Sequence, residues 1–332
     1  MAELSSGRKI QSAAARLALA VMLALAACAG LAQTRYPAKP VRIVVPTAPG
    51  GPPELVARVV SQELFKRWGR PVTVETRAGA GTLIGTEAVA RAAPDGYTLL
   101  LSPTPLATNP AVYRKMPYDV LRDFTSITQT HFVPNLFVIH PSLPARSLKE
   151  FIALAKARPG DILYASAGQG TAPHLTTELF ASMAQIKLAH IPYKGTLPII
   201  ADLLAGRVVM MLSSSMGLVV PHVQTGKLRA LGVSSASRST LLPDVPAMSE
   251  TLPGFEAVQW AAFMAPAGTP AEIIDRLHRE IVAVLQLPDS KARLAAESIE
   301  VVGSTPDEFA AYLKAEIAKW ARAAKAAGVE PQ

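Results

Sequence analysis

Short apolar runs alternate with stretches of helical periodicity along most of the chain. Residues 41–46 (Val-Arg-Ile-Val-Val-Pro) have the composition of a buried strand, and a turn rich in glycine and proline follows at 47–53. From Glu54 to Trp68 the apolar residues recur at helical spacing, and Pro53 suits the first position of that helix. Because strands and helices continue to alternate, the pattern predicts an α/β fold in which a parallel sheet is covered on both faces.

The same patterns predict the remaining elements. Further strands are expected at 72–75, 97–102, 135–139, 163–165, 188–191, 208–212, 230–233 and 258–265. Further helices are expected at 84–92, 196–205, 270–287, 290–296 and 306–327. Two more are expected, one that begins after a cap at Ser147 and ends at 157, and one that begins at about 173. The last three helices follow one another without a new strand, so we expect them to pack back on the first part of the chain.

The chain has 332 residues, half of which are apolar, and this is enough for two domains with buried cores. We predict a signal peptide at 1–32, a first lobe formed by 36–134 with 259–332, and a second lobe at 135–258. The chain would therefore cross between the lobes at least twice.

The first residues have the order of an export signal. Arg8 and Lys9 lie in a basic start, and the uncharged apolar run Leu17–Leu31 is shorter than the ~20 residues that a membrane span needs. Small residues allow cleavage after Ala32. Alternatively, Leu-Ala-Ala-Cys at 25–28 resembles a lipobox, in which a lipid would be attached to Cys28.

Charge and cysteine content exclude several classes of function. Cys28 is the only cysteine, so the mature chain has no internal disulfide and no cysteine-based metal site. Removal of 1–32 lowers the formal net charge from +8 to about +6, a modest positive field that suits an anionic ligand. No dense basic cluster with interleaved aromatic residues predicts nucleic-acid binding.

Two glycine-rich turns between strand and helix, at 47–54 and 166–173, are candidates for anion binding. The first N–H groups of a helix lack partners and the helix dipole is positive there, so such a turn holds a carboxylate without a charged side chain. One turn in each lobe would give a cleft with an anion site on each wall. Glycines that simply permit tight turns are the alternative explanation.

Motifs for catalysis and metal binding are incomplete. Tyr164-Ala165-Ser166-Ala167-Gly168 lacks the first glycine of a nucleophile elbow, and the glycines at 79–85 have one residue too many for a dinucleotide fingerprint. The six histidines are scattered with no metal-binding spacing, so neither a metal nor a cofactor is expected. His174 remains a candidate ligand contact or a capping residue.

Two other segments have side chains that could face a cleft. Tyr193, before Lys194-Gly195, could offer a phenol, although a turn explains it equally well. Ser213 begins a run of three serines after a predicted strand, where ordinary helix capping is the alternative.

Several further motifs follow one another in a consistent order along the chain. They are residues 36–42 (YPAKPVR), 49–51, 77–81 (RAGAG), 93–100 (APDGYTLL), 116–119, 164–168, 190–195 (HIPYKG), 226–231, 242–246 (LPDVP) and 265–270 (APAGTP). Together they resemble the Bug, or tripartite tricarboxylate transporter, receptor family of periplasmic solute-binding proteins, and the resemblance covers nearly the whole mature chain.

The resemblance implies a type II periplasmic binding fold with two lobes, each a mostly parallel sheet flanked by helices. It also implies a non-enzymatic, monomeric receptor in the periplasm that closes on a small organic carboxylate and delivers it to the permease subunits of a secondary transporter. The expected contacts with the ligand are Ala48, Gly50, Gly51, Ser102, Thr104, Ser166, Gly168, Gln169, Thr171, His174, Tyr193 and Ser213.

Two departures from the family pattern affect the expected ligand. Pro52 and Pro53 replace residues that would supply N–H donors, so capture on the first wall would depend on Gly50, Gly51, Glu54 and Leu55. In the second lobe, Ser213 lies in a segment where many members carry an aspartate. The loss of that acid favours a carboxylate without an amino group.

Two other functions remain open. The loaded receptor could report its ligand to a signalling partner without any transport. Alternatively, Ser166 and His174 could serve a hydrolase or isomerase.

Overall fold

The computed structural model describes residues 36–169, 171–213, 215–240 and 242–331. The predicted signal peptide, its cleavage site at Ala32 and the candidate lipid site at Cys28 lie outside the described residues. Among the helices in the described part of the chain, none combines the length and the apolar character needed to cross a membrane.

The first sheet has six strands and takes them from both ends of the chain. Its strands are β1 (Val41–Val45), β2 (Val72–Thr76), β3 (Thr98–Pro103), β4 (Phe124–Val133), β10 (Gln259–Pro266) and β11 (Glu300–Val301). Their order across the sheet is β11-β4-β10-β3-β1-β2.

The second sheet has five strands, all from the middle of the chain. They are β5 (Leu136–Ile139), β6 (Leu163–Ser166), β7 (Ala189–Pro192), β8 (Met210–Ser213) and β9 (Arg229–Val233). The order is β7-β6-β8-β5-β9.

The α/β class with two sheets flanked by helices is confirmed, and in each sheet most strands run in one direction while the remaining strands are antiparallel to them. In the first sheet β1 pairs in parallel with β2 and β3, whereas β10 is antiparallel to both β3 and β4, and β11 is antiparallel to β4. In the second sheet β6 is parallel to β7 and β8, whereas β5 is antiparallel to β8 and β9. The chain enters each sheet from the other one at β5 and at β10, and each of these two strands is antiparallel to both of its neighbours.

Helices cover the sheets, and most of them lie close to where periodicity predicted them. They are α1 (Pro52–Trp68), α2 (Leu83–Ala90), α3 (Pro105–Val112), α4 (Leu148–Ala157), α5 (Ala172–Ala184), α6 (Thr196–Leu204), α7 (Met216–Gln224), α8 (Ala271–Leu285), α9 (Pro288–Ala295) and α10 (Pro306–Ala326). Short 3-10 turns lie at Ala80–Thr82 and Met248–Glu250.

Local sequence explains where several helices begin and which face they bury. The hydroxyl of Ser147 accepts a hydrogen bond from the Glu150 amide, which confirms the predicted cap of α4. Thr305 and Glu308 form a reciprocal capping box at the start of α10. In α8 the buried residues Ile274, Leu277 and Ile281 follow helical spacing, so one face joins the core beside the first sheet.

The C-terminal part of the chain differs from the prediction in two ways. A short strand, β11, precedes α10, so the last three helices are not free of sheet structure. In addition, α10 packs against β4 and α3 on the side of the first sheet and also against α5, which follows a strand of the second. This helix therefore contacts both halves of the molecule.

The two crossings between the sheets are joined by a buried hydrogen-bond cluster. Asn135 lies just before β5, and its side-chain amide donates to the Ser234 hydroxyl at 3.2 Å and to the Ala257 carbonyl oxygen at 2.5 Å. The Ser234 hydroxyl also donates to Ala257 at 2.7 Å. All three residues are buried, so the outgoing and returning segments are tied together where they pass between the sheets.

Candidate functional site

The first glycine-rich turn connects β1 to α1 and forms one wall of a cleft. Pro52 and Pro53 are the first two helical residues and have no N–H group to donate. The Gly50 amide donates to a carboxylate oxygen of Glu54 at 2.6 Å, and the Leu55 amide donates to the Gly51 carbonyl oxygen at 3.2 Å. The donors expected from Gly50 and Leu55 are therefore already used within the protein.

Glu54 is a fixed negative charge at the start of this helix. Its side chain is buried and accepts hydrogen bonds from the Gly50 amide and from the Arg58 guanidinium group. These two partners lower the pKa of Glu54, so the carboxylate is ionised at neutral pH. The position that an anionic ligand would take at a helix start is thus occupied by the protein's own anion.

The second glycine-rich turn connects β6 to α5 and is held by its own side chains. The Ser166 hydroxyl accepts from the Gly168 amide at 3.2 Å. The Thr171 hydroxyl donates to the Gly168 carbonyl oxygen at 2.6 Å, so Thr171 shapes the turn and does not cap α5 with its side chain. Gly168 has φ +134°, a conformation that favours glycine. Gln169 and Thr171 face the space between the two sheets.

A stack of aromatic rings lies beneath this second turn. His190 stacks on His174 with 4.1 Å between ring centroids and on Tyr164 with 4.8 Å. The Ser166 hydroxyl lies 2.6 Å from His190 Nε2. Burial, together with the neighbouring His174, lowers the pKa of His190 to about 4, and burial also lowers the pKa of His174. Both rings are therefore neutral at pH 7.

This geometry contradicts the serine–histidine pair that the hydrolase alternative required. The histidine in hydrogen-bond contact with Ser166 is His190, not the predicted His174. Ser166 is also fully buried, so a substrate cannot reach its hydroxyl. Ser166 and His190 support the turn from below.

Two adjoining cavities occupy the space between the turns. The apolar chamber has a volume of about 430 Å³. Its lining includes Ala48, Pro52, Pro53, His131, Val133 and Trp260. The polar chamber has a volume of about 730 Å³. Its lining includes Thr82, Thr108, Asn109, Gln169, Thr171 and the C-terminal segment 328–330. Thr104, Pro105 and Ala172 line both, so the chambers are continuous.

Half of the predicted site residues are at or beside these chambers. Ala48, Gly51, Thr104, Gln169 and Thr171 each line at least one of them, and Gly50 lines a small surface pocket next to Gly51. The Thr104 hydroxyl accepts from the Trp260 amide at 2.9 Å, so it anchors β10.

The other predicted residues lie outside the lining of both chambers. Ser102 is buried within β3. Tyr193 donates its hydroxyl to Asp202 at 2.7 Å, and the Ser213 hydroxyl accepts from the Ser215 amide. Ser166, Gly168 and His174 belong to the supporting layer already described.

Sequence reasoning missed several residues that the fold brings to the cleft. His131 and Trp260 lie on the neighbouring strands β4 and β10, and Asn109 lies on α3. The Asn109 side-chain amide donates to the Gly81 carbonyl oxygen at 2.8 Å, which holds the 3-10 turn at the rim. No local signal in the sequence pointed to His131 and Asn109, because the strand and the helix that carry them were not predicted from periodicity.

The chambers offer hydrogen-bond donors without cationic side chains. No lysine or arginine is among the described residues that line either chamber. The polar chamber is lined by the hydroxyl residues Thr82 and Thr108, by Gln169 with its side-chain amide, and by Ala172, the first residue of α5. Within the described part of the chain, no cluster of histidine, cysteine or acidic residues could hold a metal ion.

The chain is similar to proteins of one known receptor family. Residues 56–329 match the model of the tripartite tricarboxylate transporter family receptor. The protein BugT of Bordetella pertussis is 41% identical over 319 residues, which cover 94% of this chain and 98% of that protein.

Solved structures of related proteins contain dicarboxylates. Rpa4515 of Rhodopseudomonas palustris with adipate is 34% identical with a TM-score of 0.70, and the match covers 90% of this chain and 100% of that one. MatC of the same organism with bound malate is 30% identical with a TM-score of 0.66, and the match covers 87% of this chain and 99% of that one.

Proposed function

Because this chain belongs to the tripartite tricarboxylate transporter receptor family, we propose that it captures a small organic carboxylate between its two sheets and delivers it to a membrane permease. The family consists of periplasmic solute-binding receptors, not enzymes. The affinity of this receptor for its ligand would come from closure of two lobes around the ligand, without any covalent reaction.

The observation that carries this proposal is the pair of continuous chambers between the two strand-to-helix turns. The polar chamber offers hydroxyl and amide donors and the positive end of α5, a set that suits a carboxylate. The adipate and malate bound by Rpa4515 and MatC support the same ligand class for this chain. We place the contacts at Gly51, Thr104, Gln169 and Thr171, with Ala48 and Gly50 beside them.

The lobes in this proposal are residues 36–134 with 259–332, and 135–258. The strand composition of the two sheets and the hydrogen-bond cluster at Asn135 support that division. Export would depend on the leader at 1–32, with cleavage near Ala32 or lipid attachment at Cys28. The intact mass of the protein recovered from the cell envelope distinguishes these two forms, since only the second carries lipid.

A thermal-shift screen tests the proposal directly. The protein is unfolded in urea and refolded to remove any retained ligand, and is then mixed with monocarboxylates, dicarboxylates, tricarboxylates and amino acids. An acid at 100 times its dissociation constant adds about 2.7 kcal/mol of stability and raises the melting temperature. If no acid in the panel stabilises the refolded protein, the carboxylate receptor proposal is wrong.

Glycine substitutions then test the walls. Gly51 has an ordinary φ, and an added Cβ would meet only Pro53 at 3.6 Å, so Gly51→Leu should fold normally and block the apolar chamber. Gly168→Leu should distort the second turn because of its positive φ. We expect both to reduce ligand affinity by at least about tenfold, equivalent to 1.4 kcal/mol. Gly160→Leu is a control, since Gly160 also has a positive φ but lies in a remote turn.

A further inference from the structure

The first wall of the cleft is poorly suited to a carboxylate. Its helix begins with two prolines, and the Gly50 amide is already bonded to Glu54. The Glu54 carboxylate is buried there and paired with Arg58. A ligand carboxylate at this end would find few free donors, because the Gly50 amide and the Arg58 guanidinium group are already bonded to Glu54.

The apolar chamber at this wall suits a nonpolar group. Pro52, Pro53, Val133 and the Trp260 ring contribute to its surface, and Trp260 is held in place by a hydrogen bond from its indole N–H to Glu316 at 2.9 Å. The volume of about 430 Å³ is within the range of ordinary small-molecule sites, roughly 300–1,000 Å³. Burial of a hydrocarbon or aromatic body here would contribute to binding without any charge.

His131 is a polar side chain in this lining, and the hydrogen-bond contacts of the adjacent Thr130 hydroxyl favour one tautomer of its imidazole ring. The Thr130 hydroxyl donates to the Ala261 carbonyl oxygen at 2.9 Å, so its single hydrogen is used. The same hydroxyl lies 2.8 Å from His131 Nδ1, and this contact is a hydrogen bond only if Nδ1 carries the imidazole proton. His131 is then an Nδ1–H tautomer whose Nε2 is an acceptor.

His131 stays in this neutral form at neutral pH. The side chain is almost fully buried, and burial lowers its pKa to about 3. The described contacts give Nε2 no hydrogen-bond partner from the protein. An acceptor in an apolar chamber selects a ligand that brings a donor, because an unmatched group would remain unpaired.

On the premise of the proposed function, we propose that the ligand is a monocarboxylate with an apolar body that ends in a hydroxyl group. Its carboxylate lies in the polar chamber near Gln169, Thr171 and the start of α5. Its body fills the apolar chamber, and its hydroxyl donates to His131 Nε2. The site therefore discriminates against a second carboxylate at the far end.

Isothermal titration calorimetry with three acids of equal chain length tests this proposal. Adipate has two carboxylates, hexanoate has one, and 6-hydroxyhexanoate has one carboxylate and a terminal hydroxyl. We expect 6-hydroxyhexanoate to bind at least about tenfold more tightly than adipate and about three- to tenfold more tightly than hexanoate. Benzoate and 4-hydroxybenzoate form a second matched pair for a rigid, aromatic body.

The outcomes separate this inference from the proposed function. Tightest binding of adipate would overturn the inference and leave the carboxylate receptor intact. Equal binding of hexanoate and 6-hydroxyhexanoate, and of benzoate and 4-hydroxybenzoate, would overturn the role of His131. Absence of binding for every acid in this set and in the wider panel would overturn both.

Variants assign the discrimination to particular atoms. His131→Phe should remove the preference for 6-hydroxyhexanoate over hexanoate, so that the affinities of the two acids agree to within about twofold. The double variant Pro52→Gly, Pro53→Thr restores two backbone donors, so it should raise adipate affinity relative to hexanoate. Circular dichroism and the melting temperature check that each variant folds. Unchanged ligand preference in a folded variant contradicts the role given to the substituted residues.

Discussion

At the scale of single residues, the cleft depends on which polar atoms the fold has already used. The amide of Gly50, the hydroxyl of Tyr193 and the hydroxyl of Ser166 all have partners within the protein. A residue near a ligand site contributes to binding only through atoms that remain accessible. His131 differs from these residues, because only its Nδ1 contacts the protein, at Thr130, in the described hydrogen bonds, and its ring lines the apolar chamber.

His131 should make stability depend on pH. Its pKa is about 3 in the folded protein, below the ordinary value of about 6.5, so below pH 6.5 the unfolded chain binds a proton that the folded protein does not. The free energy of unfolding should therefore fall as pH decreases, by about 2 kcal/mol between pH 7.5 and pH 5 from this residue alone. Urea unfolding at several pH values measures this dependence.

The His131→Phe variant isolates that contribution. In this variant the free energy of unfolding should still fall as pH decreases, because of other groups that include His190. Between pH 7.5 and pH 5, however, the fall should be smaller by about 2 kcal/mol than in the unsubstituted protein. His222→Gln, which changes a half-exposed histidine on α7, serves as the control. Parallel pH profiles for His131→Phe and the unsubstituted protein would contradict a neutral buried His131.

At the scale of elements, α10 is attached to the sheet by a buried acid. Glu316 accepts hydrogen bonds from the indole N–H groups of Trp260 at 2.9 Å and Trp320 at 2.8 Å, and it forms an ion pair with Lys319. Trp260 is part of β10 and lines the apolar chamber. The position of that wall therefore depends on a helix near the C terminus.

Removal of the negative charge at Glu316 should destabilise the fold. In Glu316→Gln the amide cannot accept from both indoles as strongly as a carboxylate does, and Lys319 loses its counter-charge. We expect a loss of about 2 kcal/mol in the free energy of unfolding, measured by urea titration followed by tryptophan fluorescence. Lys314→Gln removes an exposed charge from the same helix and should change stability by less than about 0.5 kcal/mol. Equal effects of the two substitutions would argue against the buried network.

At the scale of the whole molecule, two sheets are connected by crossings that pass the Asn135 cluster. The cluster ties the outgoing segment to the returning one at Ser234 and Ala257. Helix α10 also contacts both halves. For the proposed function, we therefore expect closure to be a limited rotation about these connections and not a separation of independent bodies.

Ligand binding should make the molecule more compact. We expect small-angle X-ray scattering to show a smaller radius of gyration when a binding acid is added, because closure brings the two walls together. The change should saturate with the dissociation constant found by calorimetry. An acid that gives no thermal shift serves as the control. A radius that does not change at saturation would mean that the described arrangement is already the closed one.

Prediction from the sequence was most successful where the signal is local. The apolar run at 41–45, the helical spacing after Glu54 and the cap at Ser147 each depend on a few adjacent residues, and the corresponding elements are present. The ten-residue strand β4 and the helix α3 were not predicted. Strand β4 has polar residues at buried positions, including Thr128 and Thr130, which obscure a strand pattern.

The sequence by itself determined the α/β class, the two glycine-rich turns and the family of receptors to which the chain belongs, because periodicity and motif order are properties of neighbouring residues. Only the tertiary structure decided the antiparallel insertion of β10, the pairing of Ser166 with His190, the return of α10 to both halves and the place of His131 in the cleft. Those features depend on contacts between residues far apart in the chain, whose hydrogen bonds and burial are fixed only when the sheets assemble.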